Sequence, residues 1–85
     1  MSYRLAWTKR AQRDVEALEA GSANRVRAAV DELATEPRPH GCKKLRGGID
    51  GYRIRIGDWR VIYDVDDAAK AVTVTRVGHR SEIYS

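Results

Sequence analysis

The sequence predicts an α+β domain in which two N-terminal antiparallel helices pack on a twisted, mostly antiparallel four-stranded sheet, in the order βααβββ. Two observations predict this class. Apolar residues recur at helical spacing across residues 8–36, and in four shorter stretches they alternate with polar residues, as in half-buried strands. The chain has 85 residues and no repeat or linker-like segment, so we expect residues 1–85 to form a single domain.

The N-terminal segment predicts one strand and two helices. Residues 2–7 alternate apolar and polar, which is typical of a strand. Thr8 is a good N-cap for a helix that Gly21-Ser22 should end. A second helix is expected to run to Glu36-Pro37, because proline cannot continue a helix. The helical residues expected to face the sheet are Val15, Leu18, Val26, Val30 and Leu33.

A β-hairpin is predicted over residues 51–65. Two alternating runs flank Gly57-Asp58, and a Gly-X pair suits a type II′ turn because its first central residue needs a positive φ. The pairs that follow are Ile56 with Trp59, Arg55 with Arg60, Ile54 with Val61 and Tyr52 with Tyr63. One face of this ribbon is apolar, and the other collects three arginines: Arg53, Arg55 and Arg60.

The segments on either side of the hairpin read differently. Residues 37–50 contain two prolines and three glycines among several Lys and Arg, which indicates a basic loop. After a turn at Asp66-Asp67, a last strand is predicted from Lys70 to Val77, and Gly78 should bend the chain. Alternation in this strand places three residues on one face: Val72, Val74 and Arg76.

The distribution of charge points to an anionic partner. The formal net charge is +4, and seven Lys or Arg between residues 38 and 60 stand against two Asp. Like charges directly opposite each other destabilise a sheet, so Arg55 across from Arg60 suggests that an anion normally lies there. Outward arginines on a solvated sheet are also ordinary, and the strands alone leave both interpretations open. A basic surface of this kind favours nucleic acid without naming one.

The composition argues against several other classes of site. His40, Cys42 and His79 are too few and wrongly spaced for a zinc site, so we expect no metal and no cofactor. Gly47-Gly48 lacks the context of a phosphate loop, and no Ser-His-Asp set is evident. The single cysteine excludes an internal disulfide framework and fits a reducing cytoplasm. Without an apolar run of transmembrane length, we expect no membrane association.

The remaining candidate is a basic surface with an aromatic residue at its rim. A guanidinium group binds phosphate through a rigid fork of N–H donors and stays charged, and a tyrosine can stack on an unpaired base. This combination favours RNA over a DNA duplex, since no helix here is basic enough to enter a major groove. The candidate residues are Arg53, Arg55, Arg60, His79, Arg80 and Tyr84, with Lys43, Lys44 and Arg46 as further RNA- or ribosome-binding cations.

These residues lie in motifs that resemble the RelE/ParE superfamily of toxins from bacterial type II toxin–antitoxin pairs. The motifs are Leu45-Arg46-Gly47, the run from Gly51 to Tyr63, and Val77-Gly78-His79-Arg80 followed by Tyr84. The resemblance covers essentially the whole chain and implies a RelE-like fold. In the RelE branch the toxin is an endoribonuclease, an mRNA interferase that cuts the message in the ribosomal A site and stops translation.

The resemblance also implies residue roles. Arg53 and Arg55 match the basic pair of the second family strand, Arg60 matches the arginine of the third, and Arg80 and Tyr84 match the C-terminal arginine and tyrosine. Two features depart from the pattern: the basic pair is lysine in the best-known member, and the tail between Arg80 and Tyr84 is shortened. The implied partners are mRNA, the ribosome, a cognate acidic antitoxin and, through that antitoxin only, operator DNA.

The implied reaction is metal-independent attack of the ribose 2′-hydroxyl on the adjacent phosphate. Its general base is open. An arginine stays protonated, whereas an imidazole titrates near neutral pH, so His79 is the better base if it reaches the site. Otherwise positioning and charge neutralisation supply most of the rate. Two other functions are also open: a ParE-like toxin that inhibits DNA gyrase and is not a nuclease, and a noncatalytic basic binding module.

Overall fold

A computed structural model describes residues 2–45 and 51–81. In chain order these residues form β1 (Arg4–Trp7), α1 (Lys9–Glu16), α2 (Ala20–Glu32), β2 (Lys43–Lys44), β3 (Tyr52–Ile56), β4 (Trp59–Asp66) and β5 (Ala71–His79). The strands make one sheet in the order β1-β5-β4-β3-β2. Two residues of the predicted site, Arg46 and Tyr84, lie outside the described residues.

The α+β class is confirmed, but the predicted count of four strands is wrong. The described residues form five, because Lys43–Lys44 pairs in antiparallel fashion with the start of β3. A two-residue strand shows no alternation, so the sequence pattern cannot reveal it. The sheet is also mixed, since β1 lies parallel to β5 at one edge. Alternation marks a strand but gives neither its neighbour nor its direction.

The break between the helices does not lie at Gly21-Ser22. Those two residues belong to the first turn of α2, whose N-cap is Glu19. The Glu19 carboxylate accepts hydrogen bonds from the Ser22 N–H at 2.6 Å and from the Ser22 hydroxyl at 2.7 Å. This capping satisfies a donor that the helix itself leaves open and lowers the pKa of Glu19. Because Glu19 caps the helix, α2 begins at Ala20 and includes Gly21-Ser22, where the composition suggested a break.

The predicted start of the first helix is confirmed, but the second helix ends earlier than predicted. Thr8 caps α1 as predicted, and its hydroxyl accepts a hydrogen bond from the Ala11 N–H at 3.1 Å. The second helix ends at Glu32 with Leu33 as C-cap, before the proline at Pro37. Neither helix of the described chain is long and apolar enough to cross a membrane.

The predicted hairpin is confirmed pair for pair. Gly57 has a φ of +61°, and Asp58 is not among the residues with positive φ, which is the signature of the type II′ turn. The apolar face of this ribbon packs on the two helices. The buried apolar residues of the core are Ala11, Val15, Ala23, Val26, Val30, Leu33, Ile54, Val61, Tyr63, Val72, Val74 and Val77.

A β-bulge interrupts β5 at Thr75. Tyr63 pairs with Val74 and Ile62 pairs with Arg76, so Thr75 has no partner of its own on β4. Its hydroxyl donates to the Ile62 carbonyl at 3.1 Å. The extra residue reverses the alternation, which moves Arg76 to the face opposite Val74. The prediction that Arg76 shares a face with Val72 and Val74 is therefore wrong.

Far from the hairpin turn, a polar cluster joins four segments of the chain; we call it the Arg38 cluster (Tyr3, Arg38, Tyr52 and Asp67). Arg38 donates to both carboxylate oxygens of Asp67, at 2.9 and 3.2 Å, and its Nε donates to the Tyr52 hydroxyl at 2.9 Å. The Tyr3 hydroxyl donates to Asp67 at 2.7 Å. These hydrogen bonds, first those from Arg38, lower the pKa of Asp67 to about 2.

Beneath this cluster, Tyr63 ties the sheet to the segment after α2. Its ring is fully buried and stacks on Tyr52 with 5.9 Å between centroids. Its hydroxyl donates to the Pro37 carbonyl at 2.7 Å, and burial raises the pKa of Tyr63. The chain is thus fixed immediately before Arg38.

Candidate functional site

The predicted arginines lie on the sheet face opposite the helices, which we call the outer face. Its residues follow from the pairing of β2 to β5. The row nearest the hairpin turn contains Arg55, Arg60 and Gly78, and the next row contains Lys43, Arg53, Ile62 and Arg76. The register therefore places Arg53, Arg55 and Arg60 on one face, as the type II′ turn requires.

Arg60 is a buried cation: only 7% of its surface is exposed. Its Nη1 donates to the carbonyls of Gly57 at 3.3 Å and Trp59 at 3.1 Å, which folds the guanidinium back against the turn. Among residues 2–45 and 51–81, Arg60 pairs with no carboxylate, and its Nε and Nη2 make no hydrogen bond. A buried charge is normally paired, so this position favours an anion from outside the described chain.

Arg55 faces Arg60 directly across β3 and β4 and is exposed. Residues paired in this way have Cβ atoms about 4.5–5.5 Å apart, and like charges at that distance repel. No carboxylate of the described chain pairs with Arg55. An anion bound between the two guanidinium groups would replace that repulsion with two attractions.

Across the described residues of β2 to β5, the outer face is basic only at its turn end; Arg4 of β1 lies on the same face in the row of Asp66. Lys43 pairs with Arg53 one row further from the turn. Further along β4, on the same face, Asp64 and Asp66 are exposed carboxylates. The face thus carries a gradient from positive at the turn to negative at the far end, which would orient an anionic chain toward the turn.

His79 does not lie with the arginines. The strand β5 continues through Gly78 without the predicted bend, and His79 pairs with Trp59, whereas Gly78 pairs with Arg60. The imidazole is edge-on to the Trp59 indole, with 5.6 Å between centroids, and its Nδ1 accepts the Ser81 N–H at 3.2 Å. The register therefore places His79 on the opposite face of the sheet from Arg60.

The other predicted cations divide between the two faces. Arg80 is exposed, and its backbone N–H donates to the Asp58 carbonyl at 3.0 Å, which keeps Arg80 beside the hairpin turn. Lys44 pairs with Tyr52 and so lies on the face opposite Lys43. The structure brings Arg53, Arg55, Arg60 and Lys43 together on the outer face and leaves Lys44 and His79 on the other.

One cation of the outer face was missed from the sequence: Arg76. Uninterrupted alternation from Val72 and Val74 put it in the core, and the bulge at Thr75 reverses that. A signal was present, since Val77 is apolar where the alternation calls for a polar residue. An apolar residue out of phase near a strand end is typical of a bulge.

Metal-ligating side chains are scattered. Across the described ranges, no group of three or more His, Cys, Asp or Glu could hold a metal ion.

The fold and the basic face can now be compared with known proteins. The toxin RelG of Mycobacterium tuberculosis is 37% identical over 99% of this chain and 98% of its own length. A family model described as the ParE toxin of the type II toxin–antitoxin system parDE matches residues 5–84. This protein belongs to the RelE/ParE family of type II toxins. RelE/ParE proteins of known structure share its fold closely.

Two crystal structures illustrate the family fold. One is the toxin–antitoxin complex RelBE2 of M. tuberculosis, which matches with a TM-score of 0.84 at 29% identity over 94% of this chain and 100% of that one. The other is the RelE–RelB complex of Pyrococcus horikoshii, with a TM-score of 0.83 at 31% identity over 96% and 99%. Both relatives were crystallised with their antitoxins.

Proposed function

We propose that this toxin is a ribosome-dependent mRNA endoribonuclease that acts through its outer face. The observation that carries the proposal is Arg60, a buried guanidinium group held by backbone carbonyls, without a carboxylate among the described residues, and directly opposite Arg55. Such a pair of cations is suited to a phosphodiester, whose negative charge increases during cleavage.

The reaction is attack of the ribose 2′-oxygen on the adjacent phosphorus. The bond from phosphorus to the 5′-oxygen breaks, the 5′-oxygen takes a proton, and a 2′,3′-cyclic phosphate is formed. Arg60 and Arg55 would stabilise the charge that develops on the non-bridging oxygens. Arg80, held beside the turn, is the candidate nearest the leaving oxygen, and Tyr84 would stack on the base to align the 2′-oxygen.

The position of His79 supports a mechanism in which no histidine acts as the general base. Its ring lies on the Trp59 face, and its Nδ1 already accepts a hydrogen bond from Ser81. Positioning and charge neutralisation would then provide most of the rate, with water or the ribosome accepting the 2′-hydroxyl proton. An unchanged rate for His79→Gln would agree with this assignment.

A second candidate is inhibition of DNA gyrase without RNA cleavage. It is favoured by the family model, whose description names the ParE toxin. Arg55 and Arg60, which have no carboxylate partner among the described residues, favour the nuclease, because a protein-binding toxin has no need of a buried charge placed for phosphate. The two candidates predict different first events after expression: cut messages and arrested translation, or DNA damage.

An acidic antitoxin is the proposed partner in either case. Two relatives of known structure were crystallised as complexes with their antitoxins. An acidic segment across the outer face would supply carboxylates to Arg55 and Arg60, which have none within residues 2–45 and 51–81, and would add stability to a small domain by binding only its folded state. Association with operator DNA would then come through the antitoxin.

The test is toeprinting on translated and untranslated copies of one message. We expect cuts only in the translated message, lost in Arg60→Gln, which keeps an N–H donor but removes the charge. Arg27→Gln, on the exposed side of α2, is the matched control and should cut normally. Absence of cuts by the wild-type toxin, together with DNA damage on expression, would overturn the nuclease in favour of gyrase.

A further inference from the structure

The strongest unexplained feature of the outer face is the guanidinium of Arg76. Its Nε is buried and has no hydrogen-bond partner. Every other buried side-chain nitrogen or oxygen of the described residues has a hydrogen-bond partner. Buried donors are almost always satisfied, because an unmade hydrogen bond costs the full desolvation of the group. A missing partner on a charged donor therefore calls for an acceptor supplied by a ligand.

The backbone holds Arg76 firmly in this position. It lies on β5, between β1 and β4 in the sheet, and it pairs with Ile62 directly after the bulge. The bulge is itself tied down, since the Thr75 hydroxyl donates to the Ile62 carbonyl, and the next N–H, that of Val77, donates to Asp14 at 3.0 Å. The place of Arg76 on the outer face is thus the product of a fixed backbone feature.

Arg76 is a close neighbour of Arg60 on the same face. The residue opposite Arg60 on β5 is Gly78, two positions beyond Arg76. Diagonal neighbours of this kind lie about 7–8 Å apart between Cα atoms, and glycine places no side chain between them. A chain of phosphates that reaches Arg60 can therefore reach Arg76 as well.

We propose that Arg76 is a substrate-binding residue that grips a phosphate next to the scissile one in the RNA strand; this rests on the proposed nuclease function. A guanidinium can bind phosphate side-on, with Nε–H and one Nη–H forming a bidentate pair. That mode uses the donor that the protein leaves unsatisfied. Lysine keeps the charge but has no such pair, so the two side chains are not equivalent here.

The experiment is single-turnover cleavage by the full-length toxin on programmed ribosomes, with the ribosome concentration varied. We expect Arg76→Lys and Arg76→Gln to raise the half-saturating concentration about tenfold and to change the maximal rate less than about threefold. A contact with a non-reacting phosphate contributes equally to the bound substrate and to the transition state. The matched control is Arg27→Lys, an exposed arginine on α2, on the other side of the sheet, which should leave both constants unchanged.

Two further measurements separate this role from a structural one. Replacing an unsatisfied buried donor should not lower the melting temperature, so Arg76→Met should unfold at or above the wild-type temperature while binding ribosomes more weakly. Wild-type half-saturation in Arg76→Lys, with an active wild-type toxin, would overturn the inference and leave the nuclease intact. The inference would equally be overturned if the variant lost affinity only for the antitoxin, or if its maximal rate fell at unchanged half-saturation. A wild-type toxin that cuts no message would instead overturn the nuclease.

Discussion

The two ends of the sheet use arginine in opposite ways. In the Arg38 cluster, the guanidinium of Arg38 has a bidentate carboxylate partner in Asp67 and joins segments that are distant in sequence. At the hairpin turn, Arg60 is far more buried and has only backbone carbonyls as partners in the described chain. The first arginine is neutralised and stabilises the fold, whereas the charge of the second has no carboxylate partner among the described residues.

This comparison shows why a count of charges does not locate a binding site. Arg38 and Arg60 count equally toward the 16 Lys and Arg of the chain, and each lies beside tyrosine or tryptophan. The difference is whether a carboxylate lies within reach, and that depends on contacts between residues far apart in sequence. Experiments that exchange the two conditions test the comparison directly.

The largest effect is expected from Arg55→Glu. A carboxylate opposite Arg60 would neutralise it within the chain, as Asp67 does for Arg38. Cleavage in single turnover should fall at least about 100-fold, a typical loss when a preorganised donor is removed from a developing anion. Stability should rise or stay the same, because opposite charges replace like charges across the strands. If Arg55→Glu retains more than a tenth of the wild-type rate, Arg60 does not act on the phosphate.

Tyr63→Phe should affect stability and leave cleavage unchanged. The substitution removes a buried hydroxyl and leaves the Pro37 carbonyl without the hydrogen bond that it accepts at 2.7 Å. We expect a loss of about 1–2 kcal/mol in the free energy of unfolding. Urea denaturation measures it, and toeprinting checks the activity. A large loss of cleavage in a folded Tyr63→Phe protein would show that the two ends of the sheet are coupled.

Gly57→Ala should affect both stability and cleavage, each to a small extent. The φ of +61° costs an L-residue about 1 kcal/mol, and a Cβ there would lie 3.1 Å from Arg25 Nη2, which is the end of a flexible side chain. Because the Gly57 carbonyl also accepts a hydrogen bond from Arg60, cleavage should fall a few-fold. Asp58→Ala, at a position without positive φ, is the control and should leave the melting temperature nearly unchanged.

Asp67→Asn should give the smallest effect, and it should depend on pH. Asp67 has a pKa of about 2 in the folded chain, below its ordinary value of 3.8, so its ionised form stabilises the fold above pH 4. That contribution is lost as the pH falls from about 4 to 2. The wild-type protein should therefore melt slightly above Asp67→Asn at pH 7, and the two should converge near pH 2. Added salt should also narrow the gap, since the pair is exposed. A gap that persisted at pH 2 would contradict this assignment.

The sequence predicts those features that depend on neighbouring residues. Gly57-Asp58 specifies its turn by local chemistry, and the turn then fixes the register that places Arg55 opposite Arg60. The cap at Thr8 is local in the same sense. Most of the core could also be predicted from the sequence, because alternation in strands and periodicity in helices both indicate which residues are buried.

Features that depend on distant or irregular contacts were missed. The partner of Arg38 lies 29 residues away, and no pattern links the two. The strand at Lys43–Lys44 forms only because β3 is there to pair with it. His79 was expected beside the arginines, but β5 runs on past Gly78 and carries it to the other face.

The bulge at Thr75 sets the phase of everything that follows it. If Thr75 paired as an ordinary strand residue, inside and outside would be exchanged from position 76 onward, so that Val77 would point to solvent and Arg76 would turn toward the helices. Deleting Thr75 would leave the faces unchanged, because Val74 and Arg76 would then be consecutive residues on opposite faces. The place of Arg76 on the basic surface therefore depends on one residue that has no partner on β4.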